Sequence, residues 1–399
     1  MHVLIVGNNV AGMSAARRIR ELDEKAKITV FSQEDSHYYT RPKLIDLIAG
    51  KCTEKDLFFY KPEWYEKNRI QVFLGTPVLS INIVDKVVMT KDGFIPYDKL
   101  VLATGAESFI PDAFRSISRN IHTLRTLDDA TKIKGKALLS KNAVIIGGGV
   151  LGLEIASAIR NINSSCDITL LEALPHLLPR QLDEKGSDFL RRILKKIGIT
   201  PYCGVSDIRP VEENGLLKIK SSAGSVPYDL ACISAGVRPK LDLAQKAGIN
   251  TNRGIVVNDN LETSVPDVYT IGDCAEHKGM VYGIIRPAME MAAVVAEQIV
   301  GNQEAKYMGS TISKTFKILD FYLTSIGDYN PLDDNKTDVI HVQTDDEYRK
   351  FVLKKEDSTL IGFIAIAHKQ YESKVLRLMA SGQDLSGIKE KMYDSNYEF

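Results

Sequence analysis

The stretch that most constrains this chain is Ala143-Val144-Ile145-Ile146-Gly147-Gly148-Gly149-Val150-Leu151-Gly152-Leu153-Glu154. An apolar run leads into Gly-x-Gly-x-x-Gly, and an Ala-containing helical pattern follows. That order reads as a strand, a tight turn and a helix start. Gly147 permits the turn, Gly149 lets a pyrophosphate approach the backbone, and Gly152 lets helix and strand pack closely. The free N–H groups at the helix start then face the phosphates. The next apolar run, Ile168-Thr169-Leu170-Leu171, ends in Glu172, where a ribose-binding carboxylate is expected. The alternative is an ordinary α/β turn that Glu172 merely caps.

The pattern occurs once more, at the start of the chain. His2-Val3-Leu4-Ile5-Val6 precedes Gly7-Asn8-Asn9-Val10-Ala11-Gly12, and Ile28-Thr29-Val30-Phe31 follows at the spacing that separates Gly147 from Ile168. Two dinucleotide-binding units in one chain suggest electron transfer between two nucleotides. The first unit departs from the ideal. Asn9 replaces the second Gly; Asn tolerates left-handed backbone, so the turn survives, and its side chain is within reach of a phosphate or ribose. Ser32 stands in the register of Glu172, so Glu34, two residues on, is assigned to the ribose, with a solvated turn residue as the alternative.

Between and after the units the chain reads in blocks. His37-Tyr38-Tyr39-Thr40-Arg41-Pro42-Lys43-Leu44 brings aromatics and two cations; Arg41 and Lys43 either neutralise a pyrophosphate or reduced flavin, or belong to a solvated loop. Strands are expected at 71–74, 78–81 and 87–96. Leu100 to Ala106 is a buried strand ending in the small residues Ala103-Thr104-Gly105, and Leu230 to Pro239, with Gly236, is its counterpart. Small residues at a strand end allow close backbone approach to a ligand. Thr123 to Ala130 reads as a capped helix start. Val268-Tyr269-Thr270-Ile271-Gly272-Asp273 returns to strand, and Asp273 is placed to accept from a sugar hydroxyl. A helix is expected from Ala288 to Val300, after Pro287. From Ser310 short strands (315–319, 322–326, 339–342, 348–353, 360–366) and a last helix, 371–379, suggest a separate α+β domain. The fold class is therefore α/β: two Rossmann-like dinucleotide-binding domains, one discontinuous (1–109 and 247–309) and one continuous (110–246), plus a small C-terminal α+β domain (310–399).

Composition bounds the rest. Basic and acidic residues balance at 51 each, which gives no pointer to nucleic acid or an anionic membrane. No apolar run approaches membrane-spanning length. A core strand follows Met1 at once, leaving no room for a signal peptide, so a cytoplasmic protein is expected. The five cysteines, Cys52, Cys166, Cys203, Cys232 and Cys274, form no Cys-x-x-Cys pair and no metal-ligand spacing with histidine.

The two Gly-rich units, Ala103-Thr104-Gly105 and Tyr269-Thr270-Ile271-Gly272-Asp273 resemble the two-dinucleotide-binding flavoproteins of the pyridine nucleotide-disulfide oxidoreductase superfamily. Within it, Tyr39-Thr40-Arg41-Pro42-Lys43-Leu44 and Leu178-Pro179-Arg180-Gln181-Leu182-Asp183 are most similar to NADH:rubredoxin oxidoreductases and nitrite-reductase-like flavoproteins. The resemblance implies FAD in the first unit and NADH in the second. It implies FAD contacts at Gly7, Asn9, Val10, Ala11, Gly12, Glu34, Arg41, Pro42, Lys43, Val78, Ala103, Thr104, Gly105, Arg125, Gly272 and Asp273, NADH contacts at Gly147, Gly149, Gly152 and Glu172, and a further cofactor-binding position at Gly236 in the second unit. Glu154 and Lys317 match positions that face the flavin ring; a helix-surface acid and a solvated strand lysine are the alternatives for those two. The cysteine pair of the disulfide reductases is missing, and so is the single cysteine that thiol peroxidases carry near 39–44. Electrons are then expected to leave the flavin directly, for rubredoxin or a similar small iron–sulfur carrier. The alternatives are an NADH oxidase reducing oxygen and a non-catalytic flavoprotein that responds to NADH.

Overall fold

A computed structural model of the chain describes residues 1–115, 119–310, 314–318, 320–331, 334–395 and 397. Two five-stranded sheets dominate it. In the first, strand His2–Val6 lies between Lys27–Phe31 and Lys99–Leu102, with Ile70–Phe73 and Val268–Thr270 at the edges, all parallel. In the second, Asn142–Ile146 lies between Asp167–Glu172 and Leu230–Ile233, with Ile199–Cys203 and Ile121–Thr123 at the edges, again all parallel. These strands read as continuous apolar runs because helices cover both faces of a parallel sheet. Val3, Leu4, Ile5 and Val144, Ile145 are fully buried.

The repeat extends to single hydrogen bonds. Gly7 N–H donates to Phe31 C=O at 2.9 Å, and Gly147 N–H to Leu171 C=O at 2.8 Å. Helices Val10–Leu22 and Val150–Ile162 follow the two turns, each 13 residues long. Each unit also carries a three-stranded antiparallel ribbon, Ser80–Asn82/Val87–Thr90/Gly93–Pro96 in the first and Arg209–Glu213/Leu216–Ser221/Gly224–Pro227 in the second. The strand expected at 78–81 thus starts two residues later, at Ser80, and Val78 is a buried loop residue.

Helix Ile285–Ile299 packs along helix Val10–Leu22, so late chain completes the first unit. It starts before Pro287, not after it. A proline in the first turn removes only an N–H that has no intrahelical partner there.

The C-terminal segment forms an antiparallel sheet in the order Lys314–Ile318, Phe321–Gly327, Leu360–Ala367, Tyr348–Lys354, Thr337–Gln343. Leu319, expected in its first strand, lies outside the described residues. One face packs under helix Glu372–Ser381 through Ile340, Phe351, Phe363 and Val375. The other, through Leu323, Ile364, Ile366 and Tyr348, joins the core that holds Phe189 and Leu190 of helix Glu184–Lys196. Among the described residues no helix is long and apolar enough to cross a membrane.

Candidate functional site

The first Gly-rich turn exists because two glycines have no room for a side chain. A Cβ on Gly7, whose φ is +129°, would sit 2.0 Å from the Ala103 carbonyl oxygen, and one on Gly12 would sit 2.0 Å from that of Gly7. Asn9 works differently from the expectation. Its backbone is extended (φ −138°, ψ −173°), not left-handed. Its side chain caps the helix: Oδ1 accepts from Ala11 N–H at 3.0 Å and Gly12 N–H at 3.3 Å, and Nδ2 donates to Ala103 C=O at 2.6 Å. Short polar side chains cap helices in this way because the first turn has unpaired N–H groups.

A cavity of about 1300 Å³ opens at this turn and runs between the two units. Of the expected FAD residues, Gly7, Asn9, Glu34, Arg41, Val78, Thr104 and Arg125 line it. Several others sit one contact behind the wall. Gly272 (φ +77°) packs where a Cβ would meet the Ala11 Cβ at 2.9 Å. Asp273 accepts from Arg125 Nη2 at 2.9 Å, while Arg125 Nε donates to Ala106 C=O at 3.0 Å and its backbone N–H to Asp129 at 2.9 Å. Arg125 therefore ties the end of the first sheet to the second unit. Gly105 (φ +69°) stands beside this guanidinium, where a Cβ would lie 3.7 Å from Nη2. Val10 opens the helix that Asn9 caps.

Glu34 is held from two sides. Arg41 Nη2 donates to Oε1 at 2.9 Å and the Tyr39 hydroxyl to Oε2 at 2.5 Å; the Tyr39 oxygen in turn accepts from Leu127 N–H at 3.0 Å. Pro42 and Lys43 are exposed and absent from the cavity wall, and Lys43 Nζ donates to Asp56 C=O at 3.2 Å.

In the second unit a Cβ on Gly147 (φ +110°) would lie 2.2 Å from Ser234 C=O, and one on Gly152 would lie 2.0 Å from Gly147 C=O. Gly149 has nothing within 4 Å of such a Cβ and makes no side-chain cap, so the helix start is open to an anion. Gly236 (φ +97°) bends the chain at the strand end that matches Gly105. Glu172 is buried, and both its oxygens are engaged: Oε2 accepts from Gly148 N–H at 2.6 Å and Oε1 from Leu174 N–H at 2.7 Å.

Glu154 projects from the helix that follows this turn. Burial, with Asp46 nearby, pushes its carboxyl up to about 7. The strand carrying Lys317 lies against that helix, but Lys317 itself is exposed and lies 5.8 Å from the Tyr322 ring centre.

Sequence reasoning gave no role to Asn8, Tyr39 or Lys240, the last a cavity-wall residue whose Nζ donates to Gln33 Oε1 at 3.3 Å. Asn8 Nδ2 donates to Ser36 C=O at 3.0 Å, and its buried Oδ1 has no partner. Arg41 Nε is also buried without one. Both residues line the cavity, and each keeps one buried polar atom without a partner. With the two glycine clashes that keep the turn clear, these residues fit a dinucleotide. A polar residue in the register of Gly148 was the available signal for Asn8. All five cysteines are free thiols. The Cys52 thiol is pushed up by burial and by Asp46 and Asp56, and the Cys232 thiol by burial to about 12.

Two parallel sheets with repeated Gly-rich turns define a two-nucleotide reductase fold, and the comparisons agree. The chain belongs to the pyridine nucleotide-disulphide oxidoreductase family, whose model matches residues 1–298. Membership brings FAD and a pyridine nucleotide as the cofactors. It is 34% identical over 375 residues to the NADH-rubredoxin oxidoreductase of Clostridium acetobutylicum, covering 92% of both chains. The crystal structure of that enzyme matches with a TM-score of 0.77 at 30% identity over 96% of both chains. Against the nitrite reductase (NAD(P)H) of Bacillus subtilis it is 30% identical over 96% of its own length but spans only 48% of that protein. The reductase in a covalent putidaredoxin reductase–putidaredoxin complex matches with a TM-score of 0.83 at 25% identity, covering 99% of this chain and 96% of that one.

Proposed function

We propose that the chain passes electrons from NADH through FAD to rubredoxin or a similar small iron–sulfur carrier, with no cysteine in the redox path. The observation that carries the reading is the pair of Gly-rich turns with matched hydrogen bonds, the first opening on a cavity with unpaired polar groups. The relatives named for NADH and rubredoxin support donor and acceptor. The domain limits given above are part of the proposal.

Bound FAD supplies the hydride and single-electron chemistry. The chain's own residues bind and orient. Arg41 and Arg125 bring positive charge to the cavity wall, and Asp273, steadied by Arg125, accepts from a sugar hydroxyl. Gly149 and the open helix start receive the NADH pyrophosphate, and Glu172 accepts from its ribose through lone pairs left beside the two backbone bonds. Glu154, poised near neutral pH, holds and returns the proton that parts from the electrons. Lys317 adds positive charge on the exposed face where a carrier is to dock.

The thiols support a flavin-only centre, because burial disfavours the reactive thiolate. The test is NADH oxidation with a panel of acceptors, oxygen alone serving as control, beside an anaerobic NADH titration. Fast turnover with an iron–sulfur carrier and one NADH per flavin are expected. Turnover with oxygen alone at the same rate replaces the carrier by an oxidase, and a second NADH equivalent lost on replacing Cys52 refutes the flavin-only centre.

A further inference from the structure

Asp183 ends the segment Leu178-Pro179-Arg180-Gln181-Leu182-Asp183, and it does two things at once. Its Oδ1 caps helix Glu184–Lys196 by accepting from Gly186 N–H at 2.9 Å. The same carboxylate is gripped from the C-terminal sheet: the Tyr348 hydroxyl lies 2.8 Å from both oxygens, and Lys350 Nζ lies 3.1 Å from Oδ2. Tyr348 and Lys350 are themselves buried, and Lys350 Nζ also donates to Asn330 Oδ1 at 2.9 Å. Burial works against a charged Asp183, yet the Gly186 N–H, Tyr348 and Lys350 hold its carboxyl below the usual carboxylate range. A second tie lies close by, from the Tyr329 hydroxyl to Arg180 C=O.

The other end of this segment is the second Gly-rich turn. Leu178 (φ +51°) donates its N–H to Gly148 C=O at 3.1 Å, and Leu177 N–H donates to Ser187 Oγ at 2.8 Å. Gly148 N–H is taken by Glu172. The middle residue of the turn is thus fixed through both its N–H and its C=O by chain between Glu172 and Leu178. Leu177, Leu178 and Leu182 are fully buried, so the segment is wedged between turn and clamp. A Cβ on Gly148 would lie 2.6 Å from Leu177, which leaves the turn little room to relax.

We propose that Asp183, clamped by Tyr348 and Lys350 of the C-terminal sheet, is a positioning residue for NADH: it holds the 172–183 segment so that Gly148 and Glu172 keep the shape the dinucleotide needs. The inference rests on the assignment of NADH to the second unit. The clamp comes from a different sheet from the one that carries the turn it steadies.

The test uses the FAD-loaded full chain with NADH and ferricyanide, an acceptor that needs no carrier docking. Tyr348→Phe removes one hydroxyl from the clamp and keeps the ring. Its KM for NADH is expected to rise on the order of tenfold, the scale of losing a hydrogen bond to a charged group, with kcat within about twofold and flavin content unchanged. Asp183→Asn keeps an acceptor for Gly186 N–H and weakens the same clamp, so the double variant is expected to be no worse than the worse single one. A KM that stays put in a stably folded Tyr348→Phe protein, or loss of flavin in step with activity, overturns the clamp. Effects of the two substitutions that simply add also overturn it. Unmodified protein that does not oxidise NADH at all overturns the functional reading instead. If Asp183→Asn does not fold, Tyr348→Phe alone decides.

Discussion

Beside Gly149 the second Gly-rich turn leaves open space, whereas beside the matching residue of the first turn Asn9 fills that space with its own amide. The strands, helix lengths and ladder hydrogen bonds around the two turns are the same. The helix N–H groups are not. In the second unit no side chain caps them; in the first, two are satisfied internally, and the cavity wall carries Arg41 and Arg125. The carboxylates differ in the same sense. Glu172 braces its own turn, while Glu34 is braced by Tyr39 and Arg41. Under the proposed assignment the second unit takes the nucleotide that comes and goes, and the first takes the one that stays.

The largest expected effects break the two turns separately. Gly147→Ala forces a Cβ against Ser234 C=O at a positive φ, at a cost of about 3 kcal/mol or more in local strain and overlap. Flavin content is expected to survive and NADH reduction of the flavin to be lost. Gly7→Ala is expected to do the reverse and yield colourless protein. Absorbance spectra of both purified variants, before and after NADH, check this; equal flavin loss in the two would erase the distinction.

Next comes cofactor choice. A 2′-phosphate beside the Glu172 carboxylate is repelled, and the nearest following arginine, Arg180, lies beyond Pro175 and Pro179. The unmodified enzyme is expected to prefer NADH to NADPH. Glu172→Ala, which also releases Gly148 and Leu174 N–H, is expected to lower the kcat/KM ratio on the order of a hundredfold. An unchanged ratio would leave Glu172 as a turn brace only.

Glu154 has Ser14 in its register in the first unit, so its proton behaviour is peculiar to the second. Burial, with Asp46 nearby, pushes its carboxyl from the ordinary 4.5 up to about 7, so the folded state prefers the protonated carboxyl. That preference is fully present below about pH 4.5 and is lost as pH rises through about 7. Glu154→Gln stays neutral, so relative to the parent it is expected to gain about 3 kcal/mol between those limits. Urea unfolding at pH 5 and pH 8 measures it, and a pH-independent difference would rule out the shifted carboxyl.

The smallest effect sharpens the comparison. Asn9→Ala removes a helix cap and is expected to cost about 1 kcal/mol of stability. Gly149→Ala, which removes no cap and meets nothing, is expected to be stable and yet to bind NADH more weakly. Denaturation midpoints and NADH KM values for the pair decide it.

Much of this was legible in the sequence because it is written in short-range pattern. Apolar runs followed by Gly7 and Gly12, or Gly147 and Gly152, leave one local solution, since a side chain at those positions meets a backbone carbonyl within the same unit. The C-terminal strands announced themselves by the same periodicity, and the register of the repeat identified Ala103-Thr104-Gly105 and Gly236 as matching strand ends. What only the tertiary structure decided is where side chains find partners far along the chain. Arg125 meets Asp273 across 148 residues, and Tyr348 meets Asp183 across 165. Asn9 proved a cap through its amide, Lys43 and Lys317 proved exposed, and Glu172 proved doubly bonded to backbone. Local pattern fixes which backbone forms each element, because sterics and burial act on neighbours. Polar side chains choose among many possible partners, and that choice is settled only when the assembled sheets and loops bring one donor within about 3 Å of one acceptor.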